Sequence, residues 1–350
     1  MTAPKTIAAQ DLAHILAYTR PLWDEARGKS FFITGGTGFI GRWLLESFLY
    51  ANEVLNLGAQ ALVLSRNPQN FLRSAPFFAG QPALSFLRGD VRDFALPDGA
   101  YPYIIHAGSE SSVHPPDGDY QGLYDSIVCG ARRVLRFAAE RGGEKLLFTS
   151  SGAVYGRQPA GMTQMPEDHP GGPDPTAPAS AYGEGKRAAE HLFALAAAQN
   201  RLQVKISRIY AQIGAHMPLE KHFAAGNFVR DALRGGPLVV QSDGTPRRSF
   251  MYAADLAIWL WTLLFRGRSG RAYNTGSDQS ISVGELAHLI AATRNPPLAV
   301  EIQGTPDPAR PPEQYVPDIT RAREELGLQI WIPLPEALAR TLAFYESGNG

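Results

Sequence analysis

The chain has 350 residues, 44% of them hydrophobic, and its 33 basic and 33 acidic side chains cancel to zero formal charge. That balance excludes the strongly basic surface of a nucleic-acid binder, so no nucleic-acid partner is expected. The single cysteine, Cys129, excludes an internal disulfide framework and fits a reducing, cytoplasmic setting.

Residues 1–28 do not read as a signal peptide, because Asp11 and other polar residues interrupt them. Asp11 to Tyr18 has helical spacing and Pro21 ends or kinks that helix, giving an extra element packed on the main domain. Phe31 to Thr34 is a short buried strand, Gly35 to Gly38 a glycine turn, and Phe39 to Leu49 an amphipathic helix. Glycine lets such a turn stay tight and brings backbone N–H groups and a helix dipole to a phosphate. Further strands are expected at 61–66, 85–91, 103–108 and 145–151, with a long helix at 123–141. This alternation implies a parallel, doubly wound α/β sheet.

Residues 156–180 break the rhythm with a long Pro/Gly-rich loop. A helix then runs from 181 to 200 and a sixth strand covers 202–206. Beyond it the alternation fades, leaving helices at 227–234, 253–265, 283–292 and 334–346. The apolar run Leu256 to Phe265 is too short to span a membrane, so no membrane partner is expected. The eight histidines are scattered and no Cys/His metal spacing occurs, so no metal is expected. Three segments result: an N-terminal helical extension (1–28), a dinucleotide-binding domain (29–208, with the loop 156–180), and a mainly substrate-binding lobe (209–350).

Tyr182 and Lys186, at i and i+4, share one helix face. A phenol with an ordinary pKa of about 10 is a poor base at neutral pH, and a nearby ammonium brings it down. The pair follows the glycine-turn domain and Ser150-Ser151 at a strand end.

Together with Thr34 to Gly41, Gly89-Asp90-Val91, His106-Ala107-Gly108, Phe148 to Gly156, Arg248 to Asp255 and Tyr273 to Gly276, these residues resemble the extended short-chain dehydrogenase/reductase family, in its nucleotide-sugar epimerase and dehydratase branch. The resemblance implies a Rossmann-type sheet with a smaller C-terminal α/β lobe, an NAD or NADP cofactor and a nucleotide-activated sugar as substrate. It implies that Gly35, Thr37, Gly38, Phe39, Ile40 and Gly41 cradle the dinucleotide diphosphate. Asp90 would bond the adenine amino group, Val91 would flank the ring, and Ala107 and Gly108 would line the nicotinamide ribose. Ser151 would hydrogen-bond the reacting hydroxyl, Tyr182 would take its proton, and Lys186 would hold the ribose and tune Tyr182. Arg248 would meet the substrate diphosphate, with Asn227 and Arg310 as further substrate contacts. Pairing through the two long helices would give a homodimer, using an outer face of Ala194, Ala196, Ala197 and Ala198.

Several positions depart from the family. Members that perform 4,6-dehydration carry Asp-Glu after the Ser/Thr, where this chain has Gly152 and Ala153, neither able to transfer a proton. Glu167, Asp168, His169, Glu110 and His114 are alternative acids or bases. Ser65-Arg66 suits a ribose 2′-phosphate and favours NADP, whereas the epimerase resemblance favours NAD. Ile127 and Ala211 stand where relatives often keep Asn. The expected reaction is epimerase-like: transient oxidation of a sugar hydroxyl, then return of the hydride. A 4,6-dehydratase with relocated acid and base, or an NADPH-dependent carbonyl reductase, is the alternative.

Overall fold

In the computed structural model the described residues are 5–347, apart from 109–114, 116, 200, 221, 222, 308 and 310. The first part of the chain runs α1 (Ala9–Thr19), a 3-10 segment (Arg20–Ala26), β1 (Ser30–Thr34), α2 (Phe39–Val54), β2 (Gln60–Ser65), α3 (Pro68–Ser74), β3 (Leu84–Arg88), β4 (Tyr103–His106), α4 (Tyr120–Glu140), β5 (Lys145–Ser151), α5 (Ala181–Ala198) and β6 (Gln203–Ile209). Next come β7 (Gln212–Ile213), α6 (Ala224–Leu233), β8 (Leu238–Val240), β9 (Arg247–Arg248), β10 (Met251–Tyr252), α7 (Ala253–Arg266), β11 (Arg271–Thr275), β12 (Ile281–Ser282), α8 (Val283–Ala291), β13 (Val300–Ile302), β14 (Gln314–Tyr315), α9 (Thr320–Leu326) and α10 (Leu334–Glu346).

The main sheet has seven strands in the order β3-β2-β1-β4-β5-β6-β11. Pairing is parallel from β3 through β6. The strand order reverses between β1 and β4, which is where a doubly wound sheet opens a crevice beyond its carboxyl ends. The sequence pattern supplies six of these strands. β11 lies where hydrophobic alternation has faded.

The contacts divide the chain into two units. Unit 1 holds residues 1–156, 170–209 and 257–273, and unit 2 holds 157–169, 210–256 and 274–350. In unit 1, Phe31 and Phe32 on β1 point to opposite faces and both are fully buried, so the sheet is covered on both sides. On one face Phe32 packs against Phe137 of α4 at 4.1 Å between ring centroids and against Phe94 at 5.3 Å. On the other, Phe31 lies 4.9 Å from Tyr103 and 5.4 Å from Phe48 of α2.

The N-terminal segment joins that second face. Trp23 has no exposed surface and sits 4.6 Å from Trp261 of α7. Glu25 pairs with Lys145 at 2.7 Å and with Arg266 at 3.4 Å, while its carbonyl accepts the Tyr103 hydroxyl at 2.9 Å. Residues 257–273 thus cluster with the sheet through aromatic packing.

One expectation about α5 fails. Ala197 is buried in the core beside Phe193 and Val204, so it lies on the inner face. A residue three positions from Ala194 and one from Ala196 cannot share a single stripe with both. No helix among the described residues is long and apolar enough to cross a membrane.

In unit 2 the middle of the Pro/Gly-rich loop is stitched down. Met165 bridges to Pro317, and the Asn274 amide donates to the carbonyls of Met165 at 2.7 Å and Asp318 at 3.0 Å.

Candidate active site

The turn after β1 is built around what a side chain would hit. Gly35 has φ +73°, and a Cβ there would lie 2.3 Å from the Ala107 carbonyl oxygen. A Cβ on Gly41 would lie 2.2 Å from the Gly35 carbonyl oxygen. Helix α2 therefore starts hard against the end of β1, with Gly38 as an N-cap that has no side chain to cover the first N–H groups. Thr37, Phe39 and Ile40 are half-buried on this turn.

The end of β4 is locked to β1. Thr34 Oγ1 accepts the Gly108 N–H at 2.9 Å and lies 2.8 Å from His106 Nδ1. Burial, with the Lys186 charge adding to it, drives the His106 pKa down to about 3, so this imidazole is neutral near pH 7. Ala107 and Gly108 are half-buried at the same strand end.

At the ends of β2 and β3, Ser65 is half-buried and Arg66 exposed. Asp90 receives Arg92 through Nε at 2.8 Å and Nη2 at 3.1 Å, and the Arg92 side chain holds its carboxyl below the usual range. Val91 packs on α4 at Gly130, where a Cβ would approach its methyl at 3.1 Å. Ile127 is buried and faces α5, where a Cβ on Gly185 would lie 3.1 Å from its Cδ1. Its apolar side chain serves the α4–α5 contact.

Ser151, Tyr182 and Lys186 come together at the end of β5 and the start of α5. Ser151 Oγ accepts the Ala153 N–H at 3.2 Å and shares a hydrogen bond with the Tyr182 hydroxyl. Lys186 is 2% exposed; its Nζ donates to the Thr149 carbonyl at 2.7 Å and lies 5.7 Å from the centre of the Tyr182 ring. Burial pushes the Tyr182 phenol up, and the Ser151 hydrogen bond acts the other way. Burial also drives the Lys186 amine down to about 7, with Glu190 opposing it. The motif alone leads one to expect a phenol lowered by its neighbouring ammonium; in this geometry burial raises the phenol and the Ser151 hydrogen bond is what opposes it.

The substrate candidates lie in unit 2. Arg248 donates to the Arg247 carbonyl at 2.9 Å and pairs with Glu313 at 3.0 Å. Asn227, on α6, accepts from Arg230 at 3.2 Å. Arg310, Glu110 and His114 lie outside the described residues. Glu167 accepts the Asn274 N–H at 3.0 Å and lies 3.9 Å from Arg321, and burial pushes its carboxyl up. Asp168 is exposed.

Beside this site Glu190, Arg208, Ser150 and Tyr155 form a buried network that no sequence motif marks. One signal was available: Glu190 is four residues beyond Lys186, on the same helix face.

A family model described as the NAD dependent epimerase/dehydratase family matches residues 31–276. Among curated relatives, UDP-glucuronic acid decarboxylase 5 of Arabidopsis thaliana is 31% identical over 313 residues, covering 87% of this chain and 86% of its own. Among solved structures, the UDP-glucose 4-epimerase of Thermotoga maritima, determined with UDP-glucose, superposes with a TM-score of 0.77 at 19% identity, covering 92% of this chain and 100% of the other. The dTDP-glucose 4,6-dehydratase of Streptomyces venezuelae, determined with NAD bound, gives 0.74 at 24% identity, covering 92% and 98%. At those identities the two structures speak to the fold.

Proposed function

The chain belongs to the NAD dependent epimerase/dehydratase family, and on that footing we propose that it is a cytoplasmic, NAD(P)-dependent enzyme that transiently oxidises a ring hydroxyl of a nucleotide-activated sugar. The observation that carries this reading is the Ser151–Tyr182 hydrogen bond with Lys186 beneath the phenol. The glycine turn fits a dinucleotide, because its close packing starts α2 at the end of β1 and Gly38 caps α2 with no side chain over the first N–H groups, which suits a phosphate. When bound, the nicotinamide would accept hydride from the sugar carbon and return it within the cycle. NADP is favoured by the Arg66 guanidinium, NAD by the relatives' chemistry.

In this reading Tyr182 removes the hydroxyl proton, Ser151 orients that oxygen, and Lys186 supplies the positive charge that lets a buried phenol act as a base. Arg248 would exchange Glu313 for the substrate diphosphate, with Asn227 and Arg310 as further contacts. Two copies would pair through α4 and α5, where Tyr124 and Leu195 are exposed.

The fate of the ketone is constrained by Gly152 and Ala153. Loss of water needs a base at one carbon and an acid at the next, and these residues supply neither. Presenting the other face of the ketone gives epimerisation and needs no such pair. Decarboxylation is the second reading, favoured by the 31% identical decarboxylase. A carboxylate one carbon removed from a new ketone leaves as carbon dioxide, its bonding electrons passing into the ketone, and no protein carboxyl is required.

The test is incubation with UDP-glucuronic acid and with UDP-glucose, without external reductant, followed by mass analysis. Unchanged mass with altered stereochemistry marks epimerisation, and loss of carbon dioxide marks decarboxylation. In a parallel incubation with NADPH added, its stoichiometric consumption would replace the proposal with a carbonyl reductase.

A further inference from the structure

Helix α5 carries one more charged residue on the catalytic side, Glu190, which is 8% exposed. Its carboxylate is held by two residues. Ser150 Oγ donates to Oε1 at 2.5 Å, Arg208 Nε to Oε1 at 3.0 Å, and Arg208 Nη2 to Oε2 at 2.7 Å. Arg208, on β6, is itself fixed: its Nη1 donates to the Tyr155 hydroxyl at 2.7 Å, and its guanidinium lies 4.7 Å over the Tyr155 ring. One carboxylate thus joins α5, β6 and the end of β5 that carries both serines.

The groups around Lys186 explain why an anion belongs there. From α5 come Tyr182 and Glu190. From β4 comes His106, neutral at neutral pH. From β5 come the Thr149 carbonyl and the Phe148 ring, whose centre lies 4.8 Å from Nζ. From β6 comes Arg208, paired with Glu190. Glu190 is the carboxylate acting on an amine that burial would otherwise discharge.

We infer that Glu190, locked in place by Arg208, is the positioning residue of this site: it is the counter-charge that opposes discharge of the Lys186 ammonium, and it ties the Ser150–Ser151 strand end to the helix bearing Tyr182. This rests on the proposed role of Lys186 as the cation beneath Tyr182. A pair kept only for packing would be replaceable by apolar residues of similar volume without effect on Lys186.

The chain has six lysines, Lys5, Lys29, Lys145, Lys186, Lys205 and Lys221. Labelling them with ¹³C at Cε gives a sparse spectrum in which Lys186→Arg assigns the relevant signal. The wild-type Lys186 signal should titrate near neutrality. Glu190→Gln should move that inflection down by roughly one pH unit. Ser150→Ala, which removes a hydrogen bond and keeps the charge, should leave it in place. An unmoved inflection in folded Glu190→Gln overturns the inference. Should that variant not fold, the paired replacement Glu190→Met with Arg208→Met, which removes the anion and leaves apolar bulk, is titrated instead; the inflection should again fall, and an unmoved one overturns the inference. The titration uses no substrate, so its failure leaves the catalytic reading standing. Full turnover by Tyr182→Phe would remove that reading and leave the titration untouched.

Discussion

Tyr182→Phe should lower kcat by about 10³-fold while leaving dinucleotide binding and fold in place, since a positioned acid–base group contributes about 10²–10⁴-fold. The physical reason lies in how the phenol is held. Its ring is half-buried at the start of α5, its hydroxyl is bonded to Ser151, and Lys186 is below. Removing one oxygen keeps the ring's packing and deletes the proton acceptor. The loss in stability should be only about 1 kcal/mol, that of one hydrogen bond. The measurement is turnover of UDP-glucuronic acid and UDP-glucose beside a thermal melt. Turnover within tenfold of wild type would show that another group takes the proton.

The second large effect is expected at the glycine turn, where substitutions at Gly35 and Gly41, set against Gly28 ahead of β1, separate backbone strain from steric collision. Gly28 and Gly35 both have positive φ, +65° and +73°. A Cβ on Gly28 meets nothing within 4 Å, whereas one on Gly35 meets the Ala107 carbonyl at 2.3 Å. Gly28→Ala should therefore cost about 1 kcal/mol, the conformational term alone. Gly35→Ala should destabilise by more than about 3 kcal/mol and abolish dinucleotide binding, because the carbonyl it strikes is backbone that cannot swing aside. Gly41→Ala, at ordinary φ but with Gly35 backbone at 2.2 Å, should behave like Gly35→Ala. Urea midpoints and calorimetric titration with NAD measure both effects. Equal losses at Gly28 and Gly35 would mean that the turn is not held against β4.

Much of unit 1 was legible because its signals are local. Runs such as Ala61 to Ser65 and Lys145 to Ser151 are short, apolar and bounded by turn residues, and they appear as β2 and β5. The glycine turn was legible because its chemistry sits in one stretch of chain. The Tyr182–Lys186 face was legible because four residues make one helical turn.

The hidden features are non-local. Glu190, Arg208 and Tyr155 are separated by up to 53 residues, and nothing in their spacing says that they meet. The inner-face position of Ala197 depends on which side of α5 meets the sheet, and an alanine-rich helix gives little contrast between its faces. The strand β11 and the clustering of residues 257–273 with unit 1 arise from packing, including Trp23 against Trp261, that no periodicity announces. The raised phenol and lowered amine at the site come from burial, which the motif does not encode.

The proposed chemistry turns on hydride that is borrowed from the sugar and given back. The direct test is UDP-glucuronic acid carrying deuterium at C4, the carbon whose oxidation would place a ketone beside the carbon bearing the carboxylate. The protein is incubated with it and the product's label is read by mass spectrometry and NMR. The product should keep the deuterium at C4, with no net change in NAD(P)H. A product that has lost the label, with reduced dinucleotide accumulating in solution, would contradict a borrowed hydride.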